Sequence, residues 1–366
     1  MSSNKVSIFL TGATGYVGGS VLQRLLDHPK AGTFDISVIV RNAEKAKILK
    51  SKFGVNAVVG THQDLDKLEA LAENAHIAFH CADSDDLPAA KAILSGLKKR
   101  HAKLGDLPIL IHTSGVGVLT DEATSTGLFA TETIYSDLDV EQLKSIPPTA
   151  LHREVDLAIM EADEQGDIRA HIVLPATIYG LAQGSLFDAG VSNPHSIQIP
   201  SLIKAALQRK QAGMVGQGKA IWPDVHIDDG TPRHPTHCSF RLMIAVADLY
   251  ALLLDAVLSH PATIGHGWEG FYFAENGEHS WYQVQRAIGE ALVRRGITQD
   301  PEPTPFTTEE LAKYFGSESV GRYYSGSNAR CRAERSRSIG WKPRYTTEDL
   351  LKSVESEMAV VLKQQS

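Results

Sequence analysis

Eight residues near the N-terminus, Thr11-Gly-Ala-Thr-Gly-Tyr-Val-Gly18, leave the chain little choice of fold. They follow a short apolar, β-branched run, Val6 to Thr11, and open a periodic segment from Tyr16 to Leu26. A glycine triplet alone says little. Placed between a buried strand and a helix, it has the context a dinucleotide-binding turn requires. Gly12 permits the tight turn, and Gly15 lets the backbone approach a pyrophosphate whose charge meets the helix N-terminus. Gly18 allows close packing of helix on sheet. Thr14, Tyr16 and Val17 lie within the same turn. The plainer alternative is an ordinary strand-turn-helix connection.

The chain continues in the same style. Short apolar runs at Ile36–Val40, Ala57–Val59, Ile77–Cys81, Ile109–His112 and Ala170–Leu174 alternate with helical patterns at 44–53, 65–73, 89–103 and 154–164. Alternation of this kind implies a parallel sheet buried on both faces. The fold class expected is α/β, a Rossmann doubly wound parallel sheet. Past about residue 180 the alternation lapses. This portion is expected to form a smaller C-terminal substrate-binding lobe, with helices at 247–258 and 282–294. The expected division is 1–180 for the NAD(P)-binding domain, with a returning segment near 220–260, and 181–366 mainly for the lobe. Pro301-Glu-Pro-Thr-Pro305 reads as an extended surface connection. Residues 228–243 show no period and read as a loop insertion, of a length uncommon in compact domains.

At 366 residues the chain is long enough for roughly two domains. It carries 36 basic and 43 acidic residues, a formal charge of −7, and 43% apolar residues. It is too apolar for disorder, and its acidity excludes the basic footprint of a nucleic-acid binder or an anionic-membrane binder. The basic run Arg330–Arg337 reads as a solvated face. Three widely spaced cysteines, Cys81, Cys238 and Cys331, form no disulfide framework or zinc spacing, which points to a cytoplasmic setting. No signal peptide and no membrane span are expected. His234, His237 and Cys238 lack a second ligand cluster, so no metal is expected.

The second strand ends on Arg41, where an NAD enzyme usually places an acid for the ribose hydroxyls. A guanidinium suits a 2′-phosphate, so NADP (as NADPH) is the expected cofactor, with NAD the alternative. The plainer reading of Arg41 is a solvated loop residue.

Together the Thr-Gly-x-x-Gly-x-x-Gly turn, the strand order and the length resemble the extended short-chain dehydrogenase/reductases, the NAD-dependent epimerase/dehydratase-like family. His112-Thr-Ser-Gly115, His152-Arg-Glu-Val-Asp156, Trp222-Pro-Asp-Val-His226 and Glu275-Asn-Gly-Glu-His279 resemble a fungal-type subgroup. The resemblance implies that Asp64 and Leu65 contact adenine, that Cys81 and Ala82 line the cofactor, and that Pro175 lies in the loop beside the nicotinamide. It also implies a Ser114 hydroxyl on the substrate oxygen, where a donor stabilises developing charge. The plainer reading of Ser114 is a strand-end turn residue. A homodimer through the two helices flanking the fifth strand is a further implication.

One departure stands out. The family's Tyr and, four residues on, Lys are here His152 and Asp156. A spacing of four places both on one helical face. Three readings are open: His152 is the general acid, oriented by Asp156 or the ribose, as an imidazole suits near-neutral pH; Tyr135 supplies the proton; or redox chemistry has been lost and the protein senses its cofactor. The expected function is NADPH-dependent reduction of a ketone or aldehyde on a medium-sized organic small molecule, of polyketide-type secondary metabolism. The alternatives are an epimerase or dehydratase with tightly held cofactor, and a non-catalytic sensor. A sugar-nucleotide enzyme needs a pyrophosphate clamp, for which Arg209, Lys210 and Arg241 are the candidates. Trp222, His226 and Trp281 are candidates to line the substrate cleft, or else core aromatics.

Overall fold

The computed structural model describes residues 5–120, 125–227 and 246–365. The first half runs β1 (Val6–Thr11), α1 (Tyr16–Leu26), β2 (Phe34–Val40), α2 (Ala43–Phe53), β3 (Asn56–Val59), α3 (Leu65–Glu73), β4 (Ile77–His80), α4 (Leu87–Leu104) and β5 (Ile109–Thr113). Helix ends follow local chemistry. Asn42 caps α2 through the Glu44 and Lys45 amides, and Asp86 caps α4 through that of Ala89. Both helices stop at a left-handed glycine, Gly54 and Gly105, which satisfies end carbonyls.

Next come β6 (Tyr135–Ser136), α5 (Val140–Lys144), α6 (Arg153–Glu164), β7 (Arg169–Pro175), β8 (Thr177–Tyr179), α7 (Ser185–Asp188), α8 (Gln198–Arg209), β9 (Gly213–Met214) and β10 (Ile221–His226). The remainder is α9 (Val246–Ser259), β11 (Phe271–Ala274), β12 (Glu278–Ser280), α10 (Trp281–Arg294), β13 (Thr304–Pro305), α11 (Thr308–Phe315), α12 (Glu318–Gly326), β14 (Cys331–Arg332), α13 (Glu334–Ser338) and α14 (Thr347–Gln365).

Seven strands form one parallel sheet in the order β11-β7-β5-β4-β1-β2-β3. The order reverses between β1 and β4, and ligands of open α/β sheets bind in the crevice at such a switch point. The six strands expected from sequence are all present. The seventh, Phe271–Ala274, lies outside the segment at 220–260 expected to return to the sheet. From that segment, β10 joins β8 and β12 in a separate three-stranded sheet. The helix α9 does come back, packing on α1 through a buried Arg24–Asp248 ion pair of 2.7 Å. The second lobe gathers α8, α10 and α14 around that small sheet. The Pro301–Pro305 stretch includes β13, which pairs with β9. The loop expected at 228–243, with His234, His237, Cys238 and Arg241, lies outside the described residues. No described helix is long and apolar enough to cross a membrane.

Candidate active site

The glycine turn has the shape its sequence requires. Gly12 sits at φ 78°, and a Cβ there would lie 2.6 Å from the Cys81 carbonyl oxygen. The Gly15 amide donates to the Gly12 carbonyl at 2.8 Å, and a Cβ on Gly18 would run into the backbone of Gly12. Gly15 starts α1 without a side-chain cap. A helix start capped by glycine can receive an anion at its first-turn amides. The second lobe is fastened over this turn. Tyr16 donates its hydroxyl to the Gly180 carbonyl at 2.6 Å, Ser192 to that of Ala13 at 2.8 Å, and the Asn193 amide to that of Thr14 at 3.0 Å.

Gly12, Gly15, Tyr16, Val17, Cys81, Ala82 and Pro175 all line one cleft of about 620 Å³. Burial pushes the Cys81 thiol up to about 12, so it sits there as an apolar wall, not a nucleophile. Arg41 is exposed just past β2 and forms no ion pair among the described residues. Asp64 is differently engaged. Its carboxylate accepts from the Thr61 amide at 2.6 Å and faces Lys67 at 3.3 Å. These contacts, the Thr61 amide first, hold it below the usual carboxylate range. It closes its own loop, and Leu65 beside it is 40% exposed.

His152 and Asp156 do not share a helical face. His152 is the N-cap of α6, with φ 66° and ψ −16°. A left-handed conformation at a non-glycine residue is strained and is found at functional sites. It turns the imidazole out of the helical row and into the cleft. The ring is oriented by Asp85, not by Asp156. His152 Nδ1 lies 2.8 Å from Asp85 Oδ1 and 2.9 Å from Ser84 Oγ, and the His152 amide also donates to Asp85, at 3.1 Å. The Asp85 carboxylate, held below its ordinary range chiefly by this hydrogen bond, is an acceptor. Nδ1 therefore carries the hydrogen. Nε2 is left facing Gly115 and Gly117, 3.2 and 3.3 Å from where their Cβ atoms would stand.

Asp156 points the other way and is fully buried. Ser114 donates its hydroxyl to Asp156 Oδ2 at 3.1 Å. Asp156 Oδ1 faces His112 Nε2 across 3.8 Å, and His112 Nδ1 lies 3.0 Å from His80 Nδ1. Burial raises Asp156 to about 7, lowers His80 to about 4 and holds His112 well below the usual imidazole value. Desolvation disfavours the charged form of each. Neither Ser114 nor Asp156 lines the cleft, although Gly115, Val116 and Gly117 do. The Ser114 hydroxyl is thus directed beneath the floor. Tyr135 belongs to β6, paired with β14, and is not among the lining residues either.

The far wall consists of Leu151, Ile178, Ile197, Trp222, Tyr323 and Tyr324, with Asn193, His195, Ser196 and Gln198 between them. No Lys or Arg is among the described lining residues. Arg209 binds Glu310, Thr304 and the Ala212 and Pro305 carbonyls, and Lys210 ends α8 in a left-handed turn. Of the three aromatic candidates, Trp222 lines the cleft. Trp281 is fully buried, and His226 packs between Tyr179 and Tyr345. Sequence reasoning missed Asp85 and Tyr323. The Asp83-Ser-Asp85 run after β4 was a usable signal for the first. Nothing local pointed to the second, which reaches the site from the other end of the chain.

Residues 12–139 match the NAD(P)H-binding family. The oxidase ucsJ of Acremonium sp. is 28% identical over 350 residues, covering 92% of each chain. Among solved structures, UDP-glucuronic acid 4-epimerase from Bacillus cereus, in complex with UDP-glucuronic acid and NAD, superposes with a TM-score of 0.61. It is 13% identical and covers 97% of this chain and 100% of its own. UDP-glucose 4-epimerase from Thermotoga maritima gives 0.60 at 12% identity, over 98% and 100%. At such identities the structures speak to the fold. Turn, topology and family match together define an NAD(P)H-binding domain built on a Rossmann sheet. Residues 12–139 are thus similar to NAD(P)H-binding domains, and the whole chain shares the fold of the nucleotide-sugar epimerases.

Proposed function

We propose that this enzyme interconverts a ketone or aldehyde and its alcohol on a medium-sized, uncharged organic molecule, with NADPH as the reductant. The observation that carries this reading is the His152 ring, held at Nδ1 by Asp85 and open at Nε2 over the cleft floor. The glycine cradle and the uncapped start of α1 fit a pyrophosphate, and Arg41 would take a 2′-phosphate. NADPH, when bound, supplies hydride to the carbonyl carbon. His152, as imidazolium, gives its Nε2 proton to the oxygen as charge develops there. The products are the alcohol, NADP⁺ and a neutral imidazole that solvent reprotonates. Asp85 keeps the ring in one orientation and one tautomer, a role that supports general acid catalysis. The same groups serve alcohol oxidation, the direction suggested by the name of the Acremonium relative, with Nε2 accepting the proton. A sugar nucleotide fits less well, because no described cation lines the cleft to meet its diphosphate.

Fluorescence titration with NADPH and NADH, followed by NADPH oxidation with a panel of uncharged ketones, tests the reading. Tighter NADPH binding that Arg41→Ala weakens about tenfold is expected, as is turnover that His152→Ala abolishes. Equal affinity for both cofactors would remove the role of Arg41. Undiminished turnover in His152→Ala would remove that of His152.

A further inference from the structure

A second group converges on the place where His152 Nε2 points. A Cβ on Gly117 would collide with the Tyr323 hydroxyl and lie 3.3 Å from His152 Nε2. The missing side chain of Gly117 is therefore what lets the Tyr323 hydroxyl and the His152 ring approach the same stretch of cleft floor. The phenol is also firmly held. Its ring meets Trp222 edge to face, with centroids 6.1 Å apart at 88°. Ser327 ties the two together, donating its hydroxyl to the Tyr323 carbonyl at 2.6 Å and accepting from the Trp222 indole at 3.1 Å. Edge-to-face packing against Trp222 sets the plane of the phenol ring, and the Ser327 anchor holds the backbone that carries it. Such preorganised donors are what stabilise developing charge on an oxygen.

We infer that Tyr323 is a second catalytic residue, donating a hydrogen bond to the reacting oxygen opposite His152, and that the Trp222–Tyr323 wall selects an uncharged, planar aromatic ketone. The inference rests on the carbonyl reading proposed above and assigns the substrate class of that same site. The step is the one already balanced. Tyr323 keeps its own proton and lends a hydrogen bond, while His152 transfers one. An aromatic ring fits because the wall is built of ring faces and edges and no described cation lines the cleft.

The test uses the full chain loaded with NADP⁺ and three probes: 2-acetylnaphthalene, 2-ethylnaphthalene, which lacks the carbonyl, and UDP-glucose. Binding is followed by tryptophan fluorescence. The wild type is expected to bind the ketone about tenfold more tightly than the hydrocarbon, the scale of one hydrogen bond, and either more tightly than UDP-glucose. Tyr323→Phe should erase most of the ketone preference, keep the hydrocarbon affinity, and melt within about 2 °C of wild type. With NADPH it should lower kcat on the ketone about 10- to 100-fold, with KM little changed. A ketone preference that survives Tyr323→Phe would overturn the role of Tyr323. Tighter binding of UDP-glucose, or no binding of either naphthalene, would overturn the substrate class. Failure of the underlying reading is separate. His152→Ala would then turn over the ketone normally, whatever Tyr323→Phe does.

Discussion

His152 and Asp156 stand four residues apart where the chain enters α6, and they face opposite environments. His152 is left-handed at the helix start, partly exposed, and held by a carboxylate from the loop after β4. Asp156 sits one turn in, fully buried, with a serine and a histidine for company. The spacing rule that puts residues i and i+4 on one face assumes both are helical. His152 breaks that assumption by its backbone, and so a pair that reads as one unit serves two purposes. In the mechanism proposed above, the cleft side holds and delivers a proton. The floor side keeps a polar row beneath the sheet's C-terminal edge.

The largest test of that contrast is removal of the imidazole. His152→Ala should lower kcat/KM by about 10²- to 10⁴-fold, with melting temperature little changed; steady-state kinetics beside a thermal melt would show it. A protein that unfolds instead would move His152 to the structural side. Next comes Asp85→Asn, which keeps the shape but lets the ring choose its tautomer. A fall in kcat of about 10- to 100-fold is expected, milder than loss of the ring itself. Equal losses in Asp85→Asn and His152→Ala would mean that the dyad acts as a single unit.

On the floor, the expected signature is stability rather than rate. Asp156 has a folded value of about 7, above its ordinary 3.8. Its contribution is therefore present in full below pH 3.8 and is lost as pH rises through 7. Asp156→Asn, neutral throughout, should gain on the wild type between pH 4 and 7 and level off above. By pH 8 the gain is on the order of 3–6 °C in Tm. Melting curves across that range check the sign, and a variant that loses ground at pH 8 would show that a charged Asp156 is needed. The smallest effect is expected from Ser114→Ala. With its hydroxyl turned to Asp156, turnover should change less than about threefold, within the range of one modest hydrogen bond. A hundredfold loss would place Ser114 on the substrate oxygen and undo the division between floor and cleft.

The nucleotide half was legible because its physics is local. The glycine spacing, the apolar runs and the caps each act within a few residues, and the helices expected at Tyr16–Leu26 and Leu65–Glu73 are the ones observed. The second lobe was less so. Helices α8, α12 and α14 were not foreseen, and the strand Phe271–Ala274 was missed. Ile77–His80 is as short and as buried, but it was legible from its place in the strand-helix alternation, which Phe271–Ala274 lacks.

The site divides the same way. Gly12, Gly15, Gly18 and the His152–Asp156 spacing are properties of the amino-acid order; they determine the Rossmann turn and set the chain apart from the Tyr and Lys of the family it resembles. Which atoms then meet was decided only in three dimensions. Asp85 reaches His152 because α4, which starts just after Asp85, packs beside α6, which His152 caps. The Ser114 hydroxyl turns downward because a buried carboxyl accepts from it there. Tyr323 reaches the space above Gly117 because the C-terminal lobe folds back over the switch point. Contacts made across 67 or 206 residues leave no period and no spacing in the sequence, since the cost of closing such long loops is met by the packing of the whole molecule and not by any segment within it.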